Sequence, residues 1–378
     1  MPFHAGIIFS PTVKIAKGEV IPFVEMANVR TGNSREPIDI EMRAFRGGTK
    51  FALNDTVVAS IEPCLQHGKS FFVKNMERGA GSTEFMVFRG REGVTADRFV
   101  YYLMCTHEIR ERMIRSMKGA TGRQRVDPDV FDSIEIEIPD IRTQEKITSL
   151  LWDYDSAIDN ARRQIALLEE AAMRLYREWF VVHADPKWEK RRIGDVIEFN
   201  PKVQIPKETV HEIVPMSALQ VNSMILDSAT IEYGIPKSGS KFTNGDTLLA
   251  RITPCLENGK TAFVGNLKSS CGASGSTEFI VMRSKKLNPY MVYLIARTPD
   301  FREAAIKSMS GADGRQRAKE DVLKNIPYRL PSEGLIKKFG DVVGPMFNRA
   351  YLLQSQIESL TEARDRLLPK LMSGEIEV

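Results

Sequence analysis

The sequence predicts two mixed α/β domains of the same fold, joined by two long helices that form an antiparallel coiled coil. Three observations carry that expectation. The pattern SM-x-GA-x-GRQR occurs at Ser116–Arg125 and again at Ser308–Arg317, 192 positions apart in a chain of 378 residues. Similarity between the two places continues outward through almost the whole chain. Each copy then closes on a run of apolar residues spaced alternately by four and three.

Taken in order, FSPTVKIAK (Phe9–Lys17) opens the first copy and FNPKVQIPK (Phe199–Lys207) the second. NDTVVASIEPCLQHGKSFFV (Asn54–Val73) stands against GDTLLARITPCLENGKTAFV (Gly245–Val264), and GSTEFMVFR (Gly81–Arg89) against GSTEFIVMR (Gly275–Arg283). These runs mix β-branched and aromatic residues with Gly, Pro and Asn punctuation, the signature of short strands and turns. A helical stretch follows in each copy, ADRFVYYLMCTHEIRERMIRSM and NPYMVYLIARTPDFREAAIKSM, and then IEIEIPD or IPYRLPS. The offset between copies stays between 190 and 194, so insertions are loop-sized. A repeat this long is a duplicated domain rather than a solenoid unit, and two such copies pack about a pseudo-twofold axis. The segment DPKWEKRRIGDVIE (Asp185–Glu198) introduces copy two without a counterpart in copy one, which predicts a shortened opening strand there.

The helix after copy one carries Ile147, Leu151, Tyr154, Ile158, Ala161, Ile165, Leu168, Ala172, Leu175 and Trp179, an unbroken 4-3 seam. The helix after copy two repeats it at Phe339, Val343, Met346, Ala350, Leu353, Ile357, Leu360, Arg364, Leu367 and Leu371. Arg364 interrupts the apolar line, which suggests a role in register or partner contact. Pro345 and Pro369 are expected to kink or end the second helix. A helix of about 36 residues spans roughly 54 Å, enough to hold two globular heads apart. The boundaries read from these patterns are 1–140 and 183–332 for the heads, 141–182 and 333–378 for the helices.

Composition bounds the function. Hydrophobic and charged fractions of 42% and 27% are those of a soluble globular protein. No apolar run approaches a membrane span and the start has no secretory pattern, so no membrane partner is expected and the cytoplasm is. The net charge of +4 permits nucleic-acid binding without requiring it. Cys64, Cys105, Cys255 and Cys271 lack metal-ligand spacing and read as buried free thiols. Phosphate-loop, dinucleotide, zinc-protease and nucleophile-elbow motifs are all absent. His67 lies in the repeated core, but Asn258 replaces it in copy two, an exchange a catalytic histidine would not survive. Glu84 and Glu278, in the GSTEF strands, read as carboxylates that accept backbone or arginine hydrogen bonds. The chain is therefore expected to be non-catalytic, with no metal and no cofactor of its own.

The repeated polar residues suit DNA. Gly122 and Gly314 let backbone N–H groups approach a phosphate closely. Arg123, Gln124 and Arg125, with Arg315, Gln316 and Arg317, offer the guanidinium fork that matches guanine and the carboxamide that matches adenine. Lys69 and Lys260, each after a shared glycine, are candidate phosphate charges.

At this point the sequence resembles the DNA-specificity subunit of Type I restriction–modification systems. GDTLLARITPCLENGKTAFV…GSTEFIVMR resembles a common target recognition domain of that family. VLKNIPYRLPSEGLIKKF and VFDSIEIEIPDIRTQEKI resemble its domain exits, and LTEARDRLLPKLMSGEIEV its C-terminal helix. The resemblance implies that each head reads one half of a bipartite double-stranded DNA target. It implies that the helices set the spacer and dock two methyltransferase subunits, through a seam that includes Ile158, Ile165, Leu168, Leu175, Leu353, Ile357, Leu360 and Leu367. S-adenosylmethionine belongs to those partners, and ATP and Mg to any motor-nuclease subunit. The likeness of the two heads predicts two similar half-sites. A specificity chain of a Type II system and a protein-binding coiled-coil scaffold are the alternatives.

Overall fold

The computed structural model describes every residue except Lys207, Asn222, Pro236, Lys237 and Asp313. It divides into two compact units, residues 1–158 with 359–378, and residues 159–358.

In the first unit, strands β1 (Ile7–Phe9), β2 (Val20–Val24), β3 (Glu41–Ala44), β4 (Thr49–Ala52), β5 (Thr56–Ala59), β6 (Ser70–Phe72), β7 (Arg78–Gly81) and β8 (Phe85–Gly90) form two four-stranded sheets. Their orders are β1-β8-β5-β6 and β3-β2-β7-β4. The first sheet is antiparallel throughout, whereas β2 and β7 run parallel in the second. The buried face of β5 and β8 carries Val58, Met86 and Phe88 against a helix at Asp97–Cys105.

The second unit repeats this arrangement. Strands β9 (Glu189–Arg192), β10 (Ile197–Phe199), β11 (His211–Val214), β12 (Glu232–Gly234), β13 (Ser240–Phe242), β14 (Thr247–Ala250), β15 (Thr261–Phe263), β16 (Ala273–Gly275), β17 (Phe279–Ser284) and β18 (Pro327–Leu330) are its members. The sheet orders β10-β17-β14-β15 and β12-β11-β16-β13 match those of the first unit strand for strand. Register is kept as well, since Thr56 opposes Phe88 and Thr247 opposes Met282. A buried aspartate ties each central pair. Arg89 donates to Asp55 at 2.6 and 2.9 Å, and Arg283 donates to Asp246 at 2.7 and 2.6 Å. The copies differ where the sequence indicated. Segment 189–192 pairs with β18 over four residues, while at the equivalent place the first unit has the single bridge Pro2 to Glu135.

Two long helices complete the units. The first runs over Ile141–Arg177 and continues through a π turn at Glu178–Val182. The second runs over Glu333–Met372. Within the first unit, Ile147 and Leu151 of the first helix share a core with Leu368 and Leu371 of the second. Within the second unit, Phe180 packs on Phe339 with ring centroids 4.9 Å apart. The beginning of one helix therefore meets the end of the other, an antiparallel pairing in both places.

The seam departs from the strict alternation predicted from sequence. Asp155, Tyr176 and Phe180 are buried where Tyr154, Leu175 and Trp179 were expected, and Phe347 and Leu368 take the places of Met346 and Leu367. Additional steps of four bring the spacing toward the 3.6 residues of a straight helix. Ile158, Ile165, Leu353 and Ile357 are buried within the protein, and Leu168, Leu175, Leu360 and Leu367 are half-buried. The four buried side chains hold the fold and offer no open surface to another subunit. The helix also passes through Pro345 and Pro369 unbroken. Both prolines sit on the exposed side, where water satisfies the carbonyl that loses its partner. All four cysteines are free, though only Cys105 is fully buried.

Candidate DNA-recognition loops

Each GRQR loop forms the tip of a tight excursion that begins where a helix ends. In the first unit the helix His107–Arg115 stops, and Lys118 and Arg125 then pair backbone to backbone, each N–H donating to the other's carbonyl at 2.9 Å. Between them Gly119 and Gly122 have φ of +121° and +80°. Gly122 has open space around a hypothetical Cβ, so the backbone conformation, not packing, selects glycine. In the second unit Ser310 and Arg317 pair in the same way, with Gly311 and Gly314 at +134° and +76°. Asp313, within this tip, lies outside the described residues.

The loop rests on a second segment of its own unit. Glu62 donates its N–H to the Gln124 carbonyl and Val126 donates to Ser60; Thr253 and Ala318 donate likewise to Gln316 and Arg251. This platform is the cis-proline turn after β5 or β14, at Glu62-Pro63 and Thr253-Pro254.

The two arginines of each motif have different surroundings. Arg125 forms a fork with Glu84 at 2.7 and 2.6 Å, and Arg317 does the same with Glu278. The second arginine therefore clamps the loop to the GSTEF strand, and both glutamates accept arginine as their sequence context indicated. Arg123 and Arg315 are exposed, and neither guanidinium has a partner among the described residues. Gln124 is half-buried and makes a long bond to the Gly119 carbonyl at 3.4 Å. Of the six motif side chains, Arg123 and Arg315 are the ones held out and uncommitted.

Lys69 and Lys260 are placed differently from the phosphate role read in sequence. Each ammonium donates to a carbonyl within its unit, Lys69 to Met26 at 2.9 Å and Lys260 to Met216 at 3.2 Å. The physical reason is the fold itself. The half-buried turn after β2 or β11 brings its Met26 or Met216 carbonyl within reach of the ammonium. Lys69→Met is expected to lower stability by about 1–3 kcal/mol, the range for a charged hydrogen bond. It should leave the salt dependence of DNA binding unchanged, which urea unfolding and binding at several salt concentrations can check.

Two residues missed in sequence also shape the loops. Glu62 accepts the Gly122 N–H at 3.2 Å, so in the first unit that donor is already occupied. Its counterpart Thr253 provides no such bond among the described residues, where its buried hydroxyl has no hydrogen-bond partner. Arg251, where copy one has Ser60, adds a second guanidinium to Glu278 at 3.1 Å. Hydrogen bonding from Arg317, reinforced by Arg251, holds the Glu278 carboxyl down at about 2. An acid depressed below its ordinary 4.5 contributes stability above that pH and loses it as pH falls toward 2. Glu278→Gln should therefore be less stable than the parent at pH 6, and the gap should close through this window in acid-unfolding curves. These differences escaped the sequence because contacts between residues 60 and 27 positions apart leave no periodic trace.

Residues 5–170 match the Type I restriction modification DNA specificity domain. The second unit repeats the strand order of the matched region. Over this matched region the chain is similar to the Type I specificity subunits. Among relatives, it is 25% identical to the Type I restriction enzyme MjaIX specificity subunit of Methanocaldococcus jannaschii, over 76% of this chain and 71% of that one. It is 21% identical to the MjaVIII specificity subunit of the same organism, over 79% and 78%. A crystal structure of a Type I restriction–modification S subunit from M. genitalium shares the fold, with a TM-score of 0.52 at 14% identity, covering 98% of this chain and 95% of that one. Specificity subunits of Type I systems are non-catalytic. Among the described residues, no helix of this one is long and apolar enough to cross a membrane.

Proposed function

We propose that the chain is the DNA-reading subunit of its restriction–modification complex, with each head, 1–140 and 183–332, reading one half of a bipartite target. The observation that carries this is the duplicated loop. Two copies of one fold present the same glycine tip in the same register, and each holds out one uncommitted guanidinium, Arg123 or Arg315. An exposed arginine on a backbone-braced tip is suited to the O6/N7 edge of guanine in a major groove. Gln124 and Gln316 lie beside it, and Arg125 and Arg317 fix its approach.

Because the tips are alike, the two half-sites are alike, as an interrupted near-palindrome. They are not identical, since Glu62 and Ser60 stand where copy two has Thr253 and Arg251. The helices 141–182 and 333–378 set the spacer and carry two methyltransferase subunits, whose S-adenosylmethionine supplies the methyl group. A motor-nuclease subunit with ATP and Mg joins when the system restricts.

Sequencing of methylated bases in cells producing this chain with its methyltransferase tests the reading. Two related half-sequences around a fixed spacer are expected. Two unrelated half-sequences would defeat the near-palindrome.

A further inference from the structure

The first unit buries an ion pair between the two long helices, and the second unit has none at the equivalent place. Arg364 donates to Asp155 at 2.6 Å, and both side chains are about 5% exposed, 6% and 4%. Tyr102 donates its hydroxyl to the other Asp155 oxygen at 2.6 Å, and Arg364 also engages Asp365 at 2.8 Å. Burial works against the Arg364 charge, but the two aspartates outweigh it and its pKa is raised. With the offset of 192 between copies, Asp155 corresponds to Phe347, Arg364 to Ala172 and Tyr102 to Leu294. All three counterparts are buried and apolar. Phe347 packs among Tyr290, Phe263 and Tyr293, with centroids 4.7, 5.1 and 5.8 Å away.

A duplicated chain has a particular hazard. Its helices descend from one sequence, so the first helix of one molecule could pair with the first helix of another, and second with second. We infer that the Asp155–Arg364 pair, set against Phe347 and Ala172, forbids this and restricts each helix to the other kind. In a first-with-first pairing Asp155 would meet Ala172, and in a second-with-second pairing Arg364 would meet Phe347. Each such contact takes away the counter-ion on the facing helix, leaving Asp155 the Tyr102 hydroxyl and Arg364 its neighbour Asp365, a penalty of more than about a hundredfold per charge. First-with-second pairing alone gives both charges their counter-ion on the facing helix and sets the apolar Phe347 and Ala172 at the equivalent positions. Buried polar groups are best attested in this role of fixing register and partner.

The test uses the full chain, unfolded in urea and refolded at increasing protein concentration, with mass read by light scattering. The triple variant Tyr102→Leu/Asp155→Phe/Arg364→Ala gives the first unit the residues of the second, so every pairing becomes Phe against Ala. It is expected to refold to dimers whose share at high concentration is at least about tenfold that of the parent. The reversed pair Asp155→Arg/Arg364→Asp leaves a stranded charge in each wrong pairing and should refold as the parent does. A triple variant as monomeric as the parent overturns the inference. So does a triple variant that cannot fold, because the second unit buries this same apolar set at the equivalent positions.

Discussion

Asp155→Ala is expected to lower the stability of the first unit by about 3–5 kcal/mol, the cost of leaving a buried guanidinium without its counter-ion. Arg364 is almost fully enclosed, and its remaining acceptors are Asp365 and, at 3.5 Å, the Gly32 carbonyl. The Tyr102 hydroxyl loses its acceptor in the same substitution, which adds to the loss. Arg364→Ala should be less damaging, since the carboxyl left behind can take up a proton while a guanidinium cannot give one up. Urea unfolding of the two single variants and the double variant forms a cycle that reports the pair directly. A coupling energy below about 1 kcal/mol would mean that the site is wet and the pair behaves as a surface one.

Arg123→Ala is expected to weaken discrimination at one half-site by about 1–3 kcal/mol and to leave the other intact. Arg315→Ala should do the same at the opposite half. Competition binding with duplexes altered in one half at a time separates the two. The neighbouring Arg125→Ala serves as the contrast. It releases the Glu84 clamp and should lower stability and affinity together, without changing which bases are preferred. Equal loss at both half-sites from Arg123→Ala would place that residue in folding rather than in reading.

Much of this molecule can be read directly from residues 1–378. The duplication was visible because both copies retained the same glycines, which the backbone of the tip requires at positive φ, and the same strand cores, which packing requires. Strand runs such as DTVVASI and STEFMVFR fell where expected because a short run of β-branched and aromatic residues, buried almost continuously here, is a local property. The helices were legible for the same reason, as was the anomaly of Arg364.

What the sequence left open depends on distance along the chain. It could not say which arginine of GRQR is free, because Glu84 lies 41 positions from Arg125 and only the sheet brings them together. Nor could it show that the Lys69 ammonium donates to the Met26 carbonyl, 43 positions away. The seam shifted from Tyr154 to Asp155 because the position is defined by a partner 209 residues distant. Sequence alone determined that the chain holds two copies of one fold, since repetition and periodicity are local and survive in one dimension. Tertiary structure decided which charges are exposed and which are locked inside, because that depends on long-range partners and on the exclusion of water.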